Sequence, residues 1–366
     1  MSKPTALHAV HHAAGAHFTD FADWQMPLRY GSELSEHRAV RTAAGLFDLS
    51  HMGEIEVVGP HAAALLDHAL VGDISALAVA KARYTMICNE DGGILDDLIV
   101  YRLAGERYMV VANASNAAVV LDALRQRACG FDAEVQDRCD DWSLIAVQGP
   151  SSSTILGGLT DADLGALRYY AIQEASVAGR PVRLARTGYT GEDGFEIFCD
   201  PADAVGIWEA LSEAGAPHGL VPAGLACRDS LRLEAGMPLY GNELRADLTP
   251  YEAGLGRVVK LEKPGDFVGR AALEERVDHE ITRVRVGLRP DGRRAPRSGY
   301  TVLDPASGSP VGFVTSGAPS PTLGHPIAMA YVDTALSEPG TRLLVDVRGQ
   351  QVAADVVSLP FYSRPR

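Results

Sequence analysis

"YTMICNEDGGILDDLIVYRLAGERYMVVANA", residues 84–114, holds the pattern on which the fold turns. Runs rich in aliphatic, β-branched and aromatic residues are broken by Asp91-Gly92-Gly93 and by Gly105. Such spacing predicts three strands joined by two turns. Neighbouring side chains on a strand point to opposite faces. Leu95, Asp97 and Ile99 therefore share one face, and Ile94, Asp96, Leu98 and Val100 the other. The two adjacent carboxylates cannot serve one point in space, and at least one projects from an apolar face. A buried carboxylate is costly unless a turn, a cation or a ligand compensates it. The Asp91-Gly92-Gly93 turn is placed to satisfy Asp96, which leaves Asp97 to face a cavity. The plainer alternative sets both aspartates at an exposed strand end, capping a turn.

Outward from this stretch, "SELSEHRAVRTAAGLFD" (32–48) predicts a helix capped by Ser32 or Ser35 and ended by Gly45. "GEIEVVG" (53–59) alternates like a strand, and "PHAAALLDHAL" after it opens a helix with Pro60 near the first turn. "SNAAVVLDALRQRAC" (115–129) predicts a helix capped by Ser115, and "WSLIAVQGP" (142–150) a strand. "RPVRLARTGYTGEDGFEIFCD" (180–200) has the form of a hairpin turning at Asp193-Gly194. "PADAVGIWEALSEAG" and "GLACRDSLRLEAGM" are helical. From about residue 281 the texture changes to short strands with Gly/Pro turns, which suggests a separate all-β module.

A chain of 366 residues exceeds one compact core and predicts about two to three domains. The net charge of −14 argues against nucleic acid as the main partner. The charge is uneven: 281–366 carries 10 Lys/Arg against 6 Asp/Glu, a net of +4, which leaves −18 for 1–280. Arg283, Arg285, Arg289, Arg293, Arg294 and Arg297 crowd one stretch, either a solvated turn or a docking patch for an acidic partner. Five cysteines, none in a CxxC spacing, argue against a disulfide framework and a zinc site and for a reducing, cytoplasmic setting. No apolar run is long enough for a membrane span.

Glu196 in "GFEIF" is a second acid inside an apolar strand, and Arg228 lies on a helix that carries Arg232 four residues on. Glu196 and Arg228 either pair with each other or grip a planar heterocycle with donors and acceptors, such as a pterin. Tyr84, Tyr101, Tyr189 and Tyr240 lie near these elements and either pack in the core or stack on such a ring. No dinucleotide fingerprint, phosphate loop, nucleophile elbow or H-E-x-x-H occurs, and Ser50-His51 being neighbours says nothing of a triad. His8, His11, His12 and His17 cluster without a Cys or acid among them, so neither a metal nor a covalent nucleophile is favoured.

Taken together, seven motifs in order resemble the glycine cleavage system T-protein family: "FADWQMPLRYG", "GLFDLSHMGEIEV", "NEDGGILDDLIVYR", "VVANASN", "RTGYTGEDGFEIF", "ACRDSLRLEAGMPLYGNEL" and "GFVTSGAPSPTL". "IAMAYVD" and "LPFY" extend the resemblance to nearly the whole chain. The fold class it implies is α+β, with three domains around a central folate channel. Residues 1–280 would form two interleaved α/β units, one of them about 51–140, and 281–366 a distorted C-terminal β-barrel.

The activity implied is transfer of the aminomethyl carbon from the lipoyl arm of H protein to tetrahydrofolate, giving 5,10-methylenetetrahydrofolate, ammonia and dihydrolipoyl H protein. The family's key carboxylate falls on Asp97, its pterin-gripping glutamate on Glu196 and its folate-contacting arginine on Arg228. Met52, Tyr84, Asn113, Tyr189 and Tyr240 match positions lining the folate channel, and Tyr362 a C-terminal aromatic contact. Cys227 stands where many members have Ala. Two alternatives on the same fold are a folate-dependent demethylase of a sulfonium or methylamine, and a folate-binding iron–sulfur assembly protein. The latter carries K-G-C-[FY]-x-G-Q-E, which "TGYTGEDGF" lacks.

Overall fold

The structure, a computed structural model, describes residues 2–278 and 281–365. It is α+β, with several sheets and a closed six-stranded barrel near the C-terminus. Two compact units divide it: Met1–Thr85 with Asp97–Arg228, and Met86–Asp96 with Asp229–Arg366.

In the first unit a six-stranded sheet runs in the order Ile172–Val177, Arg180–Ala185, Gly194–Cys199, Ser143–Gln148, Ala44–Asp48, Leu220–Pro222. Its pairs are antiparallel except the last. Leu46, Ile145, Val147, Phe195 and Ile197 pack with Ala204, Ile207, Trp208 and Leu211 of the helix Ala204–Gly215. The spacing of these four helical residues puts them on one face. Each large apolar side chain so buried contributes about 1.5–3 kcal/mol.

A five-stranded sheet follows the order Ala82–Cys88, Ile94–Ala104, Arg107–Ala112, Gly53–Val58, Glu134–Asp137. The three strands and two turns expected over 84–114 are its first three members. Along Ile94–Ala104 the expected alternation holds: Ile94, Asp96, Leu98 and Val100 are buried, and Leu95, Asp97 and Ile99 half-buried. Within the turn the Gly92 amide donates to the Asn89 carbonyl (3.1 Å) and the Gly93 amide to Asn89 Oδ1 (2.7 Å).

Three local expectations are corrected. The helix Glu33–Thr42 stops early, and "AGLFD" is a fully buried strand, Ala44–Asp48. Gly45 is needed there for packing, since a Cβ would lie 2.4 Å from Val40 Cγ2. The helix Ala117–Arg127 starts after a 3₁₀ turn, Ala114–Asn116, so Asn116 and not Ser115 stands at its N-terminal boundary. The pair Arg180–Ala185 and Gly194–Cys199 closes at Ala185↔Glu196, which makes 186–193 a loop and not a tight turn. Asp193 braces that loop through a two-point ion pair with Arg186 (3.0 and 2.6 Å).

The second unit contains the closed barrel, with strands ordered Arg283–Pro290, Pro326–Asp333, Pro310–Pro319, Thr301–Leu303, Arg342–Val347, Gln350–Val357. Leu288, Val302, Val314, Ala330, Leu343 and Val345 fill it. Half of the arginine-rich stretch is structural. Arg283 pairs with Glu252, Arg289 with Asp355, and Arg285 donates to the Ala253 and Gly236 carbonyls. Arg293, Arg294 and Arg297 are exposed. Among the described residues no helix is long and apolar enough to cross a membrane, and no His/Cys/Asp/Glu group is arranged to hold a metal.

Candidate active site

Asp97 lies on Ile94–Ala104, whose register with Arg107–Ala112 pairs Ile99 with Val111. Continuing that register by two residues sets Asp97 opposite Asn113. The geometry agrees: Asn113 Nδ2 donates to Asp97 Oδ1 (2.7 Å) and to the Asp97 carbonyl (3.2 Å). Tyr84, on the neighbouring strand, donates its hydroxyl to Asp97 Oδ2 (3.0 Å). Both carboxylate oxygens are thus held in a half-buried position. Burial pushes the Asp97 carboxyl above its ordinary value, and the bonds from Tyr84 and Asn113 and the charge of Arg228 offset part of that rise.

Glu196 occupies Gly194–Cys199 and is 9% exposed. Its Oε2 accepts from Thr187 Oγ1, at short range, and from the Tyr101 hydroxyl (3.4 Å), which itself meets Thr187 Oγ1 at 2.9 Å. Among the described residues both bonds fall on Oε2 and none on Oε1. Burial raises the Glu196 carboxyl, against Thr187, Arg228 and Tyr101. Arg228, on the helix Leu225–Glu234, carries its guanidinium 4.4 Å over the Tyr189 ring. Glu196, Arg228, Tyr189, Thr190 and Gln148 line one small cleft with the apolar Phe47, Leu49 and Ala146. Gln148 is locked at the base of the loop, donating to the Thr187 carbonyl and accepting from Thr190 Oγ1, each at 3.0 Å.

Of the residues expected from the sequence, Asp97, Tyr84, Asn113, Glu196, Arg228 and Tyr189 are joined by these contacts and by the field of Arg228. Met52 is half-buried in the same unit, its amide bonded to the Leu49 carbonyl (3.0 Å). Tyr240 and Tyr362 belong to the second unit, where Tyr240 bridges to Leu244 and the Tyr362 amide donates to the Glu234 carbonyl (2.8 Å). Arg232, four residues after Arg228, is a structural residue of the second unit. It is fully buried, with Glu243 at 2.9 Å and Ser316 at 2.8 Å.

Tyr101, expected from the sequence either in the core or stacked on a ring, proves to be a buried hydroxyl donor to Glu196; sequence reasoning missed Thr187, which completes that contact, and Tyr170. Tyr170 lies within the field of both Glu196 and Asp97, which adds to burial in raising its phenol, and its backbone is left-handed at φ +58°. Strained backbone of this kind clusters at functional sites, but nothing in "RYYA" signals it. The histidine cluster near the N-terminus does find an acid: His11 Nε2 meets Asp48 Oδ2 at 2.9 Å, and Nδ1 meets the Tyr30 hydroxyl at 2.8 Å. That acid comes from 37 residues away, beyond the reach of local spacing.

The chain and its fold have known counterparts. Residues 7–263 match the family model described as the GCVT N-terminal domain, and 283–363 the glycine cleavage T-protein C-terminal barrel domain. The chain belongs to the glycine cleavage T-protein family. It is 63% identical to an aminomethyltransferase of Saccharopolyspora erythraea over the full length of both chains. It is 65% identical to one of Streptomyces coelicolor, over 99% of this chain and 98% of the relative. The crystal structure of glycine cleavage system aminomethyltransferase T from Bartonella henselae superposes with a TM-score of 0.92 at 40% identity, covering 99% of this chain and 98% of that one. The activity these likenesses establish is that of an aminomethyltransferase of the glycine cleavage system.

Proposed function

We propose that the one-carbon acceptor is tetrahydrofolate, that the donor is the aminomethylated lipoyl arm of H protein, and that Asp97, Glu196 and Arg228 are the working residues. The products are then 5,10-methylenetetrahydrofolate, ammonia and dihydrolipoyl H protein. The donor set suits a reduced pterin, which presents amino and ring N–H donors next to a carbonyl acceptor. Glu196 offers Oε1 as an acceptor while Oε2 anchors it to Thr187 and Tyr101. Arg228 offers a planar fork of donors stacked on Tyr189. When bound, tetrahydrofolate supplies the nucleophilic nitrogens that take up the carbon.

The observation that carries this reading is the Asp97 carboxylate, oriented at both oxygens by Tyr84 and Asn113 and withdrawn from bulk water. As an anion it stabilises positive charge developing beside it and orients or accepts the proton shed there. A preorganised charge in a dry site acts without waiting for solvent to reorganise. Holding Asp97 between two donors favours its anion against the effect of burial and fixes its direction.

The test mixes the protein with tetrahydrofolate and aminomethylated H protein and measures ammonia and methylenetetrahydrofolate. Asp97→Asn is expected to lower turnover by about 10²- to 10⁴-fold, the range of a positioned base, with a much smaller change in tetrahydrofolate affinity. Near-normal turnover in that variant overturns the role of Asp97. Demethylation of dimethylsulfoniopropionate without activity on H protein overturns the substrate assignment.

A further inference from the structure

Gln148 ends the strand Ser143–Gln148 and is buried, and its side chain lines the cleft that holds Glu196, Arg228 and Tyr189. The proposed mechanism gives it no part. Its backbone is fixed by register on both sides, opposite Gly194 on one neighbouring strand and Gly45 on the other. The side-chain amide meets the loop 186–193. A Cβ on Gly188 would lie 2.1 Å from Gln148 Oε1, and one on Gly194 2.5 Å from Nε2. The two glycines leave the amide the room it occupies.

The hydrogen bonds around that amide run in one direction. The Glu192 amide donates to Thr190 Oγ1 (3.2 Å), the Thr190 hydroxyl to Gln148 Oε1 (3.0 Å), and Gln148 Nε2 to the Thr187 carbonyl (3.0 Å). A carbonyl only accepts, so the amide has one orientation that satisfies both threonines. Thr187 in turn donates its hydroxyl to Glu196 Oε2. One side chain thus ties Thr187 to Thr190. Between them in the chain lies Tyr189, whose ring carries the Arg228 guanidinium at 4.4 Å. Arg41 braces the same loop separately, donating to the Thr190 carbonyl (2.7 Å) and to Glu192 Oε1 (2.9 Å).

We propose that Gln148 is a positioning residue for the pterin grip. Through Thr187 it fixes Glu196, and by spanning Thr187 and Thr190 it fixes the Tyr189 ring on which Arg228 stacks. This rests on the folate reading above. Gln148 acts on ligand affinity and not on the chemical step, because Asp97 is oriented by Tyr84 and Asn113, which share none of these bonds.

Two variants of the intact chain test it. Gln148→Met keeps the length of the side chain and removes both amide bonds. In the unliganded protein, hydrogen exchange read by mass spectrometry is expected to speed up over residues 187–192 and to stay at parental rates in the strand Arg107–Ala112. The KM for tetrahydrofolate is expected to rise about tenfold with kcat within about threefold of the parent, the split that lost binding produces. Gly188→Ala works from the opposite side, since its methyl displaces the amide without removing a bonding group. It is expected to raise the KM by about three- to tenfold, and it decides the matter alone if Gln148→Met fails to fold. Parental exchange over 187–192, a parental KM, or a fall in kcat with KM unchanged overturns the inference. Failure of the unsubstituted protein to bind tetrahydrofolate at all refutes the folate reading instead, and this inference with it.

Discussion

Asn113 faces Asp97 across adjacent antiparallel strands, and its amide donates to both the carboxylate (2.7 Å) and the main-chain carbonyl (3.2 Å) of that one residue. The double contact makes Asn113 a clamp on the proposed catalytic acid.

Removing the clamp shifts the pH response in a definite direction. The Asp97 carboxyl already lies above its ordinary value, and Asn113 is one of the groups that hold it down. Activity that needs the anion is retained at high pH and lost as pH falls through that raised value. Asn113→Ala takes away a lowering contribution, so the acid limb of the turnover profile is expected to move to higher pH, with a loss of about three- to tenfold near neutrality. A profile superimposable on the parent's contradicts the clamp.

Arg228 and Arg232 share one helix and separate by role. Arg232→Leu strands the buried Glu243 carboxylate, and breaking such a pair costs about 3–5 kcal/mol. Arg228→Leu is expected to leave thermal unfolding far closer to the parent while weakening tetrahydrofolate binding by about tenfold or more. Urea unfolding and calorimetry on the two variants decide this, and a reversed ranking refutes it.

The His11–Asp48 pair sets a second pH dependence, on stability. Burial raises the Asp48 carboxyl, but the bond to His11, the His11 charge and the Ser50 contacts outweigh it and hold the group below its ordinary value. Its contribution is therefore present above the unfolded value, about 3.9, and disappears as pH falls through the lower folded one. His11→Ala is expected to cost about 3–5 kcal/mol at neutral pH, with the deficit shrinking as the medium is acidified. Denaturant melts at a series of pH values report both effects.

The two glycine breaks that bound the Asp97 strand differ in kind. A Cβ on Gly93 would come within 1.9 Å of the Ala246 carbonyl oxygen, which is backbone and cannot move aside. Gly93→Ala is expected to lose at least about 1–3 kcal/mol. Gly105 meets nothing within 4 Å, so Gly105→Ala should fall within roughly 0.5 kcal/mol of the parent. Paired thermal melts distinguish a packed turn from an open one.

By itself the amino-acid order determined the three strands over 84–114, the face on which residues 94–100 of the Asp97 strand lie and the presence of a β-barrel near the C-terminus. These depend on period-two alternation and on turn residues, which act over a few positions. The Asp97 pairing with Asn113 was nearly within reach too, because a hairpin converts local spacing into register. Only the tertiary structure decided that "AGLFD" would be a central strand and not the end of a helix, since its partners, Ser143–Gln148 and Leu220–Pro222, lie about 100 and 175 residues further on. Only it brought Tyr101 and Thr187 to Glu196 and Asp48 to His11. Such partnerships arise where elements distant in sequence pack together, and the contacts made there join residues that no local pattern relates.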